Sequence, residues 1–579
     1  MAPTRTRTLT VIAQDPSVTL RGQPVTAQVE VPAEALGPGP CGYRVHVIDY
    51  DATADVLYPA WTPATGADAD NGDPFAGASP KAAIDDPRFH QQNVYALVMR
   101  TLARFEQALG RRVSWGFYGH QLKVAPHAFA EANAFYTQRD QALLFGYFPG
   151  ESGDMVYSCL SHDVVVHETT HALVDGLRGR YTDPSSPDQA AFHEGFADVV
   201  ALLSVFSLRE VVRALVDRRP GDEPRGAERR RRGADTLVRR EDITPERLRE
   251  SVLLGLAQQM GQELSRVRGQ PLRRSAALRP SPAHLAATEY EVPHRRGEVL
   301  VAAMMDAFVS VWSARLQTLG DQEPGRLSRD RVAEEGADIA DALLTMSIRA
   351  LDYAPPVHIE FGDFLSALLT ADHEIRPDDS RFRLRRHLLS SFAAYGIQPA
   401  SRGGGAEKGL WAPPHAELVY ERSHFESMSR SRDEVFRFVW ENRAALGLYE
   451  GAYSRVLSVR PCHRVGPDGF VLREVVAECV QILTVQAREL RELGVRAPRG
   501  MDPETEVRLE GGMTLVFDEY GRLKFNVQNA IDDAARQSRR LQALWDFGHF
   551  RKGASHPRRF AAIHRARALG LSRQVREEW

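Results

Sequence analysis

The stretch DVVVHETTHALVDG, Asp163 to Gly176, sets His167 and His171 four residues apart, with Glu168 beside the first. On a helix, residues i and i+4 share a face, so the two imidazoles project side by side. Two neutral imidazoles at that spacing can bind one Zn2+. Glu168 lies about 100° around the helix from His167. It flanks such a metal without pointing at it, which suits a base acting on water and suits a third ligand poorly. A catalytic zinc takes three protein ligands and keeps one position open. The stretch AFHEGFADVV offers the third, Glu194, with 22 residues between it and His171. That is room for a loop and a returning helix. Asp198 follows one turn later on the same face, placed to accept the free ring N–H of a ligating histidine and so fix its tautomer. His193, the neighbour of Glu194, reads as structural or loop-facing. A bare H-E-x-x-H occurs by chance, and the carboxylate pair on a second helix strengthens it. Burying two histidines and two or three carboxylates between helices with no cation is costly. Zn2+ is the expected cofactor.

The elements that must position these residues follow from periodicity. Residues 1–85 read as β-rich: TLTVIAQ, VTAQVEV and YRVHVIDYD alternate apolar and polar residues. A polar connector rich in Gly, Pro and Asp follows. Residues 86–160 read as a mixed lobe, with a helix in NVYALVMRTLARFEQALG ending at Gly110 and two short strands in ANAFYTQRDQALLFGYF. Residues 161–399 read as helical. The first helix carries the pentad, with Asp163 and Gly176 marking its ends. The second, DQAAFHEGFADVVALLSVF, takes Asp188 as its N-cap, and RGEVLVAAMMDAFVSVWSARL is the third. The Arg-dense run from 218 to 242 reads as a solvated, partly disordered insertion, with a rim for an acidic partner or substrate as the alternative. A linker-like break at 400–409 precedes a mixed α/β region, 400–579. In it SRDEVFRFVWENRAAL reads as helix, YSRVLSVRPCHRV as strand, and GGMTLVFDEYGRLKFNVQNAI as a hairpin. The expected fold class is α+β.

A chain of 579 residues exceeds one hydrophobic core, so two or three domains are expected. With 73 basic and 76 acidic residues the net charge is -3, which argues against a protein that coats nucleic acid. The four cysteines are far apart and form neither a disulfide scaffold nor a cysteine zinc site. The first residues lack the apolar core of a signal peptide. The longest apolar run is interrupted by Asp306 and flanked by charge, so no membrane span is expected. These features point to a cytoplasmic protein, or one exported without a standard signal.

The pentad followed by H-E-G-F-A-D resembles the thermolysin-like gluzincin zinc metallopeptidases, and the resemblance covers roughly 133 to 397. It implies a thermolysin-like core with an extra C-terminal region and a peptide or protein substrate. It implies that His167, His171 and Glu194 bind zinc, that Glu168 activates water, and that Asp198 buttresses a ligating histidine. NAFYTQRDQALLFGYF resembles the edge strand along the bound peptide, with Asn133 and Ala134 bonding substrate backbone. VPHRRGEVLVAAMMDAF resembles the segment that gives a histidine to the oxyanion, which makes His294 catalytic, with Glu289 or Glu291 orienting it. Tyr181, between the two zinc helices, is a candidate for further oxyanion support. Asp163 fits a calcium-ligand position, but Val205 stands where a calcium-binding glutamate is expected, so calcium is not carried over. The implied activity is a zinc endopeptidase. A zinc aminopeptidase would need a G-x-M-E-N-like segment before the pentad, which is not found. A binding or scaffold protein with a vestigial zinc site is the other alternative, and the intact ligands and base argue against it.

Overall fold

The alternation in the first residues builds an antiparallel pair, β1 (Thr6–Ile12) and β2 (Thr26–Pro32), with Thr6 opposite Pro32 and Ile12 opposite Thr26. In the computed structural model the described residues are all but 1–5, 21, 63–72, 151–152, 218–235, 260–274, 276, 402–407, 415, 467 and 551–579. Most of the Arg-dense run and of the expected linker lies outside them. The architecture is mixed α and β.

The next strand is β3 (Val45–Val47). It leads to α1 (Pro87–Leu109), capped by the Asp86 carboxylate, started by Pro87 and ended at Gly110 with φ 66°. Four successive polar residues of α1, His90 to Asn93, are buried, and each faces a different neighbour. The Gln91 amide donates to Asp49 and accepts from the Trp61 N–H. Gln92 donates to the Thr10 carbonyl. Asn93 accepts from the Ile12 N–H and donates to the Cys159 carbonyl. One helix turn thus ties the N-terminal pair and the segment before the pentad to one axis.

After α1 come β4 (Leu122–Phe129), β5 (Ala134–Thr137), β6 (Ala142–Pro149) and β7 (Met155–Tyr157). The sheet order is β7-β6-β4-β3, with β5 paired antiparallel to β6. β4 is parallel to both β3 and β6. It was not expected, because KVAPHAF contains Pro126, and proline weakens a strand reading. The ladder accommodates it: the register with β6 shifts between Leu144 and Gly146, opposite Ala125 and Phe129, so Pro126 sits at a bulge.

Then the helices follow: α2 (His162–Leu177), α3 (Pro187–Phe206), α4 (Arg209–Asp217), α5 (Pro293–Thr318), α6 (Arg329–Ala350), α7 (Phe361–Ile375) and α8 (Leu384–Ala394). Two expected ends are corrected. α2 begins after Ser161 and continues through Gly176 to Leu177. Gly176 is there for clearance, since a Cβ on it would stand 2.1 Å from the Ser114 carbonyl. The N-cap of α3 is Ser186, whose hydroxyl accepts from the Gln189 N–H, with Pro187 next. Asp188 instead pairs with Arg296 and accepts the Phe361 N–H at 3.0 Å. Val164, Val165 and Val166 are buried in the same core as Leu9 and Val11 of β1. At about 1.5–3 kcal/mol for each buried aliphatic side chain, they anchor α2 strongly. α5 is apolar and long enough to cross a bilayer, and 78% of its most apolar window is buried among other elements.

The C-terminal region has α9 (Arg432–Glu441), then an antiparallel meander of β8 (Tyr453–Val465), β9 (Val471–Gln486), β10 (Glu506–Phe517) and β11 (Leu523–Asn529), then α10 (Ala534–Asp546). The expected hairpin is β10–β11, with Gly521 at φ 83°. β9 was not expected. It is covered on both faces from Glu474 to Gln481, so its sequence shows an unbroken run where a half-exposed strand would alternate.

Candidate metal centre

α2 and α3 lie against each other, and α5 crosses α3 at a glycine contact. A Cβ on Gly195 would stand 3.0 Å from the Gly297 carbonyl oxygen. Backbones this close bring the start of α5, with His294, next to Glu194. His167, Glu168 and His171 on α2, and His193, Glu194 and Asp198 on α3, are all buried.

The nitrogen and oxygen atoms that His167, His171 and Glu194 offer lie within 4.8 Å of one another. His167 Nε2 and His171 Nε2 face each other at 2.8 Å. Glu194 Oε2 is 3.7 Å from the former, and Oε1 is 3.5 Å from the latter. His167 Nδ1 is 2.7 Å from Asp198 Oδ1. A carboxylate there accepts, so Nδ1 carries the hydrogen and Nε2 presents a lone pair toward Glu194. His171 Nδ1 lies 2.9 Å from His193 Nδ1, with the two rings stacked at 29°. His193 is therefore no loop-facing residue. It bonds the outer nitrogen of His171, as Asp198 does that of His167. Two imidazoles and a carboxylate, with both outer nitrogens held, form a donor set suited to a metal ion.

Glu168 follows His167 on α2, and its Oε2 accepts the Tyr136 backbone N–H at 2.9 Å. Tyr136 also donates its hydroxyl to Asp175, two turns along α2, at 3.1 Å. Burial and the Asp175 charge push the Tyr136 phenol well above its ordinary range, so it stays protonated. These two bonds pin β5 along the helix that carries the pentad. Sequence reading missed Tyr136, because one of its links is made by backbone.

The Asn133 carbonyl accepts the Gly146 N–H, facing β6, and its side chain folds back onto the Ala134 N–H. Since residues alternate along a strand, Ala134 and Tyr136 turn to the outer edge of β5. Ala134 lies at that edge, with its N–H bonded to Asn133 Oδ1 at 2.9 Å. Asn133 is corrected to a position inside the sheet, with Tyr136 in its place at the edge. His294 Nδ1 is 3.6 Å from Glu194 Oε2. The carboxylate beside it is thus Glu194, while Glu289 and Glu291 are exposed. Tyr181 is buried edge-on to Phe192 and donates its hydroxyl to the Pro355 carbonyl at 2.7 Å. That bond uses the hydrogen an oxyanion would need, so Tyr181 is corrected to a packing residue.

No protein-family model and no curated protein matches this chain. Geometry and donor chemistry therefore carry the assignment.

Proposed function

We propose that the chain is a zinc-dependent endopeptidase of the thermolysin-like type. The observation that carries this is the buried His167, His171 and Glu194 cluster, with Asp198 on the outer nitrogen of His167 and Glu168 one residue away. His167, His171 and Glu194 would hold Zn2+, which when bound lowers the pKa of water and polarises a scissile carbonyl.

The chain's own residues supply the rest. Glu168 accepts a proton from the attacking water and passes it to the leaving amine. The Tyr136 N–H keeps that carboxylate aimed, which joins the base to the edge strand. A peptide would lie along the edge of β5 at Ala134, whose N–H is already bonded to Asn133 Oδ1, so that the Ala134 carbonyl takes the peptide N–H and sets its register against the base. His294 donates a hydrogen bond to the oxyanion as the carbonyl becomes tetrahedral. Glu194 Oε2, 3.6 Å from His294 Nδ1, is a charged neighbour of that imidazole beyond hydrogen-bonding reach.

The test is a digest of a peptide library by wild type and Glu168→Gln, each with and without a zinc chelator. The variant keeps its metal, and its turnover falls by about 10²–10⁴-fold, the usual share of a general base. Wild-type cleavage by a folded, metal-loaded Glu168→Gln would sink the mechanism.

A further inference from the structure

A second group of buried donors stands apart from this centre. His90 of α1, His127 of β4 and Cys159, just after β7, offer two ring nitrogens and a sulfur within 4.8 Å of one another. All three residues are buried.

The hydrogen bonds around them fix where the ring hydrogens are. His90 Nε2 lies 2.7 Å from the Ile84 carbonyl oxygen. A carbonyl only accepts, so Nε2 carries the hydrogen, and in the neutral ring Nδ1 is bare. His127 Nδ1 lies 2.8 Å from Asp49 Oδ1, while Oδ2 of the same carboxylate accepts from Gln91 at 2.9 Å. His127 Nδ1 therefore carries the hydrogen, and its Nε2 is bare. The two bare nitrogens face each other at 2.7 Å. Two lone pairs that close repel unless a cation lies with them. One outer nitrogen held by a carbonyl and the other by a carboxylate is how proteins orient metal-ligating imidazoles. The first centre repeats half of this pattern, with Asp198 on His167 and an inner pair at 2.8 Å.

We propose that His90, His127 and Cys159 form a second metal site, for a borderline-soft transition-metal ion of the zinc and copper class. Two imidazoles and a thiolate are the donors such ions select, whereas calcium and magnesium take oxygen. The Cys159 thiol gives its proton to solvent as the ion enters, so sulfur binds as thiolate. The rings of Tyr58 and Tyr157 stand 4.9 and 5.3 Å from that of His127 and wall the site. Burial makes the role structural. The ion links α1, the sheet and the residues just before α2, where Cys159 precedes the Ser161 cap by two positions.

Cobalt exchange tests this on the full chain, because only this site contains sulfur. Wild type, Cys159→Ser and the double variant His167→Ala/His171→Ala are compared by metal content and absorption. The wild type is expected to hold one ion at each of two sites and, with Co2+, to show near-ultraviolet thiolate-to-cobalt absorption. The double variant keeps that band and loses one ion. Cys159→Ser loses the band and the other ion. A second equivalent of zinc or copper in the isolated protein, retained by the double variant, supports the site, and elemental analysis tells the two metals apart. A cobalt-loaded wild type without the thiolate band overturns the proposal, leaving a proton shared between His90 and His127. Because that arm needs no variant, misfolding of Cys159→Ser does not block the decision. Loss of the first centre's ion alone touches the peptidase reading and not this one.

Discussion

Asp198→Ala tests whether the carboxylate sets the metal affinity of the first centre. Asp198 Oδ1 and His167 Nδ1 are 2.7 Å apart, with side chains 10% and 3% exposed. A bond that short and dry fixes the His167 tautomer with Nε2 bare. Without it the ring is free to rotate and to place its hydrogen on Nε2, which must then be moved before a metal binds. Partners of this kind contribute about 10–100-fold in affinity, or about 1.4–2.7 kcal/mol at 1.36 kcal/mol per factor of ten. Asp198→Asn offers an acceptor without the charge, so its loss is expected near the lower figure. A competition titration against a chromophoric zinc chelator measures both variants, with circular dichroism to show that they fold. Ordering of affinity as wild type, then Asn, then Ala is the expected result. If folded Asp198→Ala binds zinc within about twofold of wild type, the tautomer reasoning is wrong.

Three other outcomes follow from the geometry. His193→Ala removes the partner of His171 Nδ1 and should cost about tenfold in zinc affinity in the same titration, while His193→Asn recovers part of it. Asp352 sits buried among Arg111 and Arg464; burial raises its pKa, but the two guanidinium charges outweigh that and hold it well below the carboxylate range. Its contribution is present above the unfolded value of about 3.9 and fades as pH falls toward the depressed folded value, so the stability gap between wild type and Asp352→Asn, about 3–5 kcal/mol near neutrality, should shrink in urea titrations below about pH 4. Arg178→Met leaves Glu478, 2.6 Å from that guanidinium, with Arg460 as its remaining partner; unfolding should become easier by up to about 3–5 kcal/mol, and an unchanged urea midpoint would show that the pair contributes nothing.

What the sequence made legible was what spacing alone determines. His167 and His171 share a face at i and i+4, and Glu194 and Asp198 do the same on the returning helix; the structure brings them together. His193 was read as structural or loop-facing, and the structure takes the first alternative by setting it against the outer nitrogen of His171. The available signal was chemical: a ligating His171 needs a partner on its outer nitrogen, and none had been assigned. Ser186 was readable as well, since serine followed by proline opens helices. Tyr136 and the Asn133 correction were not readable, because both depend on which backbone groups face β6. Cys159, His90 and His127 carry no shared spacing, so only the fold assembles them. The α+β class followed from the alternation at the start and the helical period after 160, while β9 stayed hidden because burial on both faces erases alternation.

The region from 400 onward shows how far a site's support extends beyond its motif. Between α6 and α7, the chain from 351 to 360 is held from two directions. Tyr181, from the loop joining the two helices of the centre, bonds the Pro355 carbonyl, and Ser185 of that loop lies 2.6 Å from His358 Nδ1. From the other side, Thr514 of β10 donates to the Ala354 carbonyl, and Asn529 of β11 donates to the Val357 carbonyl. Arg178, which follows α2 directly, pairs with Glu478 of β9 and donates to the Leu351 carbonyl. Arg464 of β8 bridges Asp352 and Glu474. These charges are buried, so neither side of the contact is self-sufficient: each without the other would leave ions in a medium that does not solvate them. The C-terminal sheet thus fixes the end of the helix that carries His167 and His171. A motif of five residues carries two of the three donors, and a strand three hundred residues later helps to hold their helix in place.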